Sequence, residues 1–311
     1  MGAWIVLGCL GFSGGLHAGR LNVVATTSDL AALAHAVGGD RLEVTTLARP
    51  TEDAHFVDPK PSFIVKLNRA DVLLEGGAEL ESGWLPPLVA QARNDRILPG
   101  APGHVACREV VTMLEVPATL DRSQGDLHAL GTPHFLVDPI NGERVAAHLA
   151  ETFSRLDPGG GPQYQSNYTA FAGKLEARLT EWQRRLAPYA EQRVVSYHNS
   201  WVYFGRRFNL RMDLFLEPKP GLPPSPAHLA EVIRTIQSEH VPAILVEPHI
   251  NRRTAETVAR SSGALLVEVC QYPGGLKGTE GDYLATVDQI VRAIADALGR
   301  QAAAAKPAGK N

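Results

Sequence analysis

The sequence predicts an α/β fold of two lobes, each a mainly parallel sheet flanked by helices. Three observations lead there. Compact, β-branched-rich runs alternate with amphipathic helical patterns, as parallel strands with helical crossovers require. The alternation is interrupted by one long helical stripe and then restarts. The chain has 311 residues, 44% hydrophobic and 20% charged, which suits two domains of about 100–200 residues, each able to bury a core.

In the first half, strands are expected at residues 21–27, 42–47, 71–75 and 135–137. Ser28-Asp29 caps a helix to about Val37, because their side chains can accept from the free N–H groups of a first turn. Pro61-Ser62 opens another to Asn68, proline having no N–H to lose at that position. Asn141 begins a third, to about Leu156, with Val145, Leu149 and Phe153 on one face. Over residues 163–189, apolar side chains from Tyr164 to Leu186 recur by threes and fours in one continuous stripe. About 25 residues of helix reach roughly 38 Å. That length could bridge two lobes or cover one sheet, and periodicity does not separate the two. The second half supplies strands at 193–197, 243–246 and 264–269, and helices at 226–239, 253–262 and 282–298. A four-proline segment, 217–224, is a stiff extended loop. Residues 301–311 carry no apolar period and are expected to form a disordered tail.

A formal net charge of −3, with 30 basic residues scattered among 33 acidic ones, excludes the clustered cationic surface that a nucleic-acid partner requires. Residues 3–16 are uncharged and apolar, and Leu16-His17-Ala18 then offers a small residue at a cleavage position. The stretch is shorter than the roughly 18 residues of a spanning helix, so residues 1–18 read as an export signal, although no Lys or Arg precedes it. Of three cysteines, Cys9 lies in the middle of that signal, whereas a lipid-attachment cysteine would end it. Cys107 and Cys270 either pair or remain as two buried thiols.

Eleven histidines are present. His35, His148, His228 and His240 fall on or near helical patterns, where an imidazole is ordinarily solvated or satisfied locally. His55, His134 and His198 fall instead in loops beside strands, which is where open α/β sheets bind ligands. Imidazole is the commonest zinc ligand. Their separations, 79 (134 − 55) and 64 (198 − 134), match no local metal motif.

Four segments, residues 52–62, 125–141, 194–208 and 274–283, carry a resemblance. Asp53-Ala54-His55 with Lys60-Pro61-Ser62, Thr132-Pro133-His134 with Asp138-Pro139, and Tyr197-His198-Asn199-Ser200-Trp201-Val202-Tyr203-Phe204 follow in that order. Together they resemble the zinc- and manganese-specific solute-binding proteins of ABC transporters, over residues 21–299. The resemblance implies two lobes, 19–160 and 191–300, joined by a helix at 161–190. It also implies one metal ion in the cleft, held by His55 and His134 from the first lobe and His198 from the second. The partner implied is the membrane permease of a metal ABC transporter, with the receptor periplasmic, and we expect it to be monomeric.

One departure stands out. The family usually takes a fourth ligand, Asp or Glu, from the loop before the last helix. Here that place falls near Gln271-Tyr272-Pro273, without a carboxylate. Water, Glu52, His128, Glu247 or His249 could fill the position. His128 has the best sequence argument, being six residues from His134. Three imidazoles without an acidic ligand favour Zn2+ over Mn2+, which prefers oxygen. The alternatives are a three-His zinc hydrolase, for which Glu52 is the nearest general base on paper, and an adhesin of the same family. No nucleophile or oxyanion motif accompanies the histidines.

Overall fold

Parallel strands need helical crossovers, and the order of elements meets that need in each half of the chain. The computed structural model describes residues 19–118, 128–219 and 221–305. The expected signal, 1–18, and the last part of the expected tail, 306–311, lie outside the described residues. In the first lobe, β1 (Leu21–Ala25), β2 (Leu42–Thr46), β3 (Val72–Glu75) and β4 (His104–Ala106) form a sheet in the order β2-β1-β3-β4. In the second, β5 (Arg193–Ser196), β6 (Arg211–Phe215), β7 (Ala243–Val246) and β8 (Leu265–Glu268) repeat that order as β6-β5-β7-β8. Every pairing within the two sheets is parallel. All strand C-termini in a lobe therefore open on one edge, the edge that faces the other lobe's loops.

The helices are α1 (Ser28–Gly38), α2 (Pro61–Arg69), α3 (Leu85–Ala92), α4 (Pro139–Leu156), α5 (Gly161–Leu186), α6 (Val202–Phe208), α7 (Pro226–Glu239), α8 (Arg252–Ser262) and α9 (Tyr283–Ala305). The apolar stripe of α5 buries Tyr164, Phe171, Leu175, Trp182 and Leu186. Its two ends are fastened to different lobes. At the first, Tyr164 Oη donates to Asp157 (2.8 Å), which also holds Arg41, and Asn167 donates to the carbonyl of Val37 (2.8 Å). At the other, Trp182 Nε1 donates to Asp288 of α9 (3.2 Å), and Arg185 pairs with Asp296 (2.8 Å). The helix links the lobes.

One apolar core runs through both lobes, from Val23, Leu30 and Leu74 to Phe204, Leu245 and Ile294. Separate outer cores lie under α2–α3 and under α7–α8. Polar contacts between the lobes reinforce the shared core. Arg207 of α6 makes two bonds to Asp138, the N-cap of α4, at 2.7 and 2.9 Å. The hydroxyl of Tyr203 accepts from the Leu114 amide (2.9 Å) and donates to the Thr132 carbonyl (3.2 Å). Tyr283 Oη donates to the carbonyl of Leu136 (2.6 Å).

Four features differ from expectation. Residues 135–137, expected as a strand, form a buried 3₁₀ turn, because Asp138 and Pro139 start α4 directly behind it. A short apolar run is ambiguous between the two states. The fourth strand of that sheet is β4, only three residues long. Strand β6 and helices α3 and α6 were not anticipated. β6 is an edge strand carrying Arg211 and Asp213, α3 has two prolines in its first turn, and α6 has seven residues. Finally, α9 continues to Ala305, into the expected tail.

Trp182 is 1% exposed and fixes α5 to α9. Trp182→Ala should cost about 3–5 kcal/mol in urea unfolding. Lys174→Ala, on the exposed face of the same helix, should stay within about 0.5 kcal/mol.

Candidate metal centre

Each of the three loop histidines leaves its backbone in a turn fixed by local hydrogen bonds. Between β2 and α2, the Asp53 carboxylate accepts from the His55 amide (2.9 Å), and Trp84 Nε1 holds the carbonyl of Ala54 (2.9 Å). His134 stands directly before the 3₁₀ turn, with Thr132 tied across the lobes by Tyr203. His198 follows β5, where Ser196 Oγ and the Ser200 amide both donate to its carbonyl (2.7 and 2.9 Å).

The three side chains converge. One nitrogen from each of His55, His134 and His198 lies within 4.8 Å of the other two. Ring centroids are 5.1 Å apart for His55–His134, 5.7 Å for His55–His198 and 5.3 Å for His134–His198. They line a cavity of about 380 Å³ between the lobes.

Behind each ring stands a partner for Nδ1. Asp53 takes that of His55 at 3.0 Å and Glu217, at the end of β6, takes that of His198 at 2.6 Å. Gln271, just beyond β8, offers Oε1 to His134 Nδ1 at 3.2 Å while its Nε2 donates to Glu247 at 3.1 Å. A carboxylate only accepts, so His55 and His198 carry their ring hydrogens on Nδ1. The Gln271 amide orients His134 in the same way. Nε2 of each ring is thereby a bare lone pair. His134 is 5% exposed, and its Nε2 is buried without a hydrogen-bond partner among the described residues. A buried nitrogen lone pair beside two others is what a cation requires.

The electrostatics disfavour the charged form of His134 and His128. Burial, then the neighbouring imidazoles, hold His134 well below the ordinary 6.5. The same causes lower His128 to about 4. Burial alone would raise Asp53, but its hydrogen bonds and attraction to His55, with His249 nearby, outweigh that and bring it to about 2. Burial raises Glu247.

The candidates for a fourth position separate clearly. Glu52 is engaged by Arg49 through its amide and guanidinium, at 2.8 Å each. Glu247 is behind Gln271, and His249 lines the cavity with a buried Nδ1 that has no partner among the described residues. His128 Nε2 lies 3.1 Å from His55 Nε2. Cys107 and Cys270 are both buried and free. Sequence reasoning missed Glu217 and Gln271 as orienting groups. In the sequence Glu217 reads as part of a stiff loop because the strand that presents it carries no clear signal, and Gln271 reads only as an absent carboxylate.

Comparison with known proteins agrees with this architecture. The family model described as "Zinc-uptake complex component A periplasmic" (ZnuA) matches residues 23–297. The chain is 24% identical over 288 residues, 90% of each chain, to the metal ABC transporter substrate-binding lipoprotein ScbA of Streptococcus cristatus. It is equally similar, with the same coverage, to the iron ABC transporter substrate-binding lipoprotein MtsA of Streptococcus pyogenes serotype M1. A crystal structure of a zinc-bound ZnuA lacking residues 138–173 superposes with a TM-score of 0.74 at 24% identity, covering 89% of this chain and 98% of the other.

The depressed histidines make a prediction about the metal-free protein. His128 binds a proton near 6.5 when unfolded but only at about 4 when folded. Its contribution is therefore complete above about pH 6.5 and lost between 6.5 and 4, on the order of 3 kcal/mol in all. Asp29 and Glu81, buried carboxyls raised to about 6 and about 7, act with the opposite sign. The comparison is thus with His128→Gln at each pH, after chelation. Relative to the variant, wild type should lose about 3 kcal/mol in urea unfolding from pH 7.5 to 4; a constant difference refutes the assignment.

Proposed function

Since the chain belongs to the ZnuA family of substrate-binding receptors of metal ABC transporters, and is not an enzyme, we propose that its cargo is Zn2+. We propose also that the ion is held by His55, His134 and His198 and is passed in the periplasm to the permease of the importer. The observation that carries this reading is the convergence of three imidazole nitrogens within 4.8 Å, with each Nδ1 turned outward to an acceptor.

Chemistry supports zinc over manganese. Mn2+ favours carboxylate and carbonyl oxygen, whereas zinc accepts nitrogen at tetrahedral geometry. In this cavity the acidic groups stand behind the rings rather than in front of them. Asp53 and Glu217 spend their charge on Nδ1–H groups, which raises the donor strength of the imidazoles. Gln271 gives His134 a neutral amide at the place where the resemblance expects a carboxylate. A relative named for iron makes Fe2+ the main competitor to test.

Transport by this receptor breaks no bond. The ion enters from the cavity mouth, where Phe56 of the first lobe is 69% exposed and Leu222, between the cavity-lining Gly221 and Pro223 of the second, is 44% exposed. This apolar rim suits contact with the permease. Among the described residues no helix is long and apolar enough to cross a membrane.

Calorimetric titration of the chelated protein with Zn2+, Fe2+ and Mn2+ tests the reading. One tight equivalent of zinc is expected, stronger than either competitor and absent when His55, His134 and His198 are all alanine. At a thousandfold excess over Kd, zinc should stabilise the fold by about 4 kcal/mol. Tight binding that survives the triple replacement would place the ion elsewhere. Gln271→Asp should narrow the preference for zinc over manganese; a variant with unchanged preference would remove Gln271 from the account of selectivity.

A further inference from the structure

We infer that His128 is a fourth nitrogen ligand of the same ion, so that the cargo is held by an all-imidazole shell; this rests on the receptor reading above. His128 Nε2 is 3.1 Å from His55 Nε2, with the two rings tilted by 34° and their centroids 5.1 Å apart. Around a tetrahedral zinc with Zn–N of about 2.0–2.1 Å, neighbouring ligand nitrogens lie about 3.3 Å apart. His128 thus stands at ligand-to-ligand spacing from a ring whose Nε2 faces the ion. It lies outside the set of three that converge within 4.8 Å, so ligation requires its side chain to turn toward His134 and His198. The backbone beside it is tied in place. The Ala129 amide is held by Glu79 (2.6 Å), and the His128 carbonyl accepts from Gly131 (3.1 Å).

The carboxylate alternatives are already engaged. Asp53 is committed to His55, Glu217 to His198, Glu247 to Gln271 and Glu52 to Arg49. Both ends of the Gln271 amide are used, one on His134 and one on Glu247. His249 also lies on the cavity wall, with a buried Nδ1 that has no partner among the described residues. Among the described residues, however, no histidine nitrogen lies within hydrogen-bonding distance of it, whereas His128 is already in contact with a member of the triad.

A shell of four neutral imidazoles leaves the ion its full double charge and offers it no hard oxygen. Such a shell accepts a borderline-soft cation and disfavours Mn2+. The cargo class assigned is therefore a borderline-soft divalent cation, represented by zinc.

X-ray absorption at the zinc edge of the wild-type protein, loaded with one equivalent of Zn2+, counts the imidazoles directly and needs no variant. Four are expected, falling to three in His128→Ala. That variant should still bind one equivalent, with affinity weaker by at least the roughly 10–100-fold that a mere outer partner contributes. Three imidazoles in wild type, with an unchanged Kd in His128→Ala, would overturn the assignment and leave the receptor reading intact. Four imidazoles that fall to three only in His249→Ala would overturn it in favour of His249. A wild-type chain that takes up no zinc would overturn both readings.

Discussion

Three imidazoles can share one buried point only if all of them stay neutral and all turn the same nitrogen inward. Burial and mutual repulsion secure the first condition for His134, whose proton affinity is held well below normal. The second needs a separate acceptor behind every ring, at a fixed distance and on the correct side. Asp53, Glu217 and Gln271 supply it. The remaining architecture can be understood as the means of placing six side chains to within a fraction of an ångström across two lobes.

Parallel sheets do much of this work. His198, Glu217, Glu247 and Gln271 each follow a different strand of the second sheet, and parallel pairing brings those four ends to one edge. The first lobe contributes His55 and His134 from loops, which are less constrained, and these are the ones tied most heavily. Trp84 holds the chain next to His55, and Tyr203, Arg207 and Tyr283 hold the segment around His134 from the opposite lobe. Arg207 and Tyr203 lie on α6, which begins four residues after His198 (202 − 198). The helix that clamps the first lobe is thus continuous with the loop that presents the second lobe's ligand candidate. His134 and His198 are set relative to one another by one short piece of chain.

Much of the frame was legible in the sequence because it is signalled locally. Pro61, Asn141 and the long stripe from Tyr164 to Leu186 mark helices whose bounds are nearly those found. The elements that escaped are short or atypical. β4 has three residues, α6 has seven, and β6 alternates with charges because it lies at an edge. The same strand order in both lobes was invisible, since no period links the two halves. For the centre, the three histidines stand 79 and 64 positions apart, and only the flanking motifs, read through a family resemblance, singled them out. Their orienting partners were less legible still. Glu217 depends on an unrecognised strand, and Gln271 acts through both ends of an amide, a role that residue type alone does not announce.

The shared core has a kinetic corollary. Tyr283, the first residue of α9, closes against Leu136 and the face of α4 at Gly142, a contact spanning 147 positions to Leu136. The first lobe is encoded first, yet part of its packing surface is supplied by the last helix to be made. Closing so long a loop is slow and is rewarded only at the end. A nascent chain carrying β1 to α5 alone therefore holds an open apolar face, and the cavity lacks the wall that Tyr197, His198, Glu217 and Gln271 supply. Assembly of the lobes and completion of the histidine cluster become one late event, so that an unfinished chain offers an ion no preformed place to lodge.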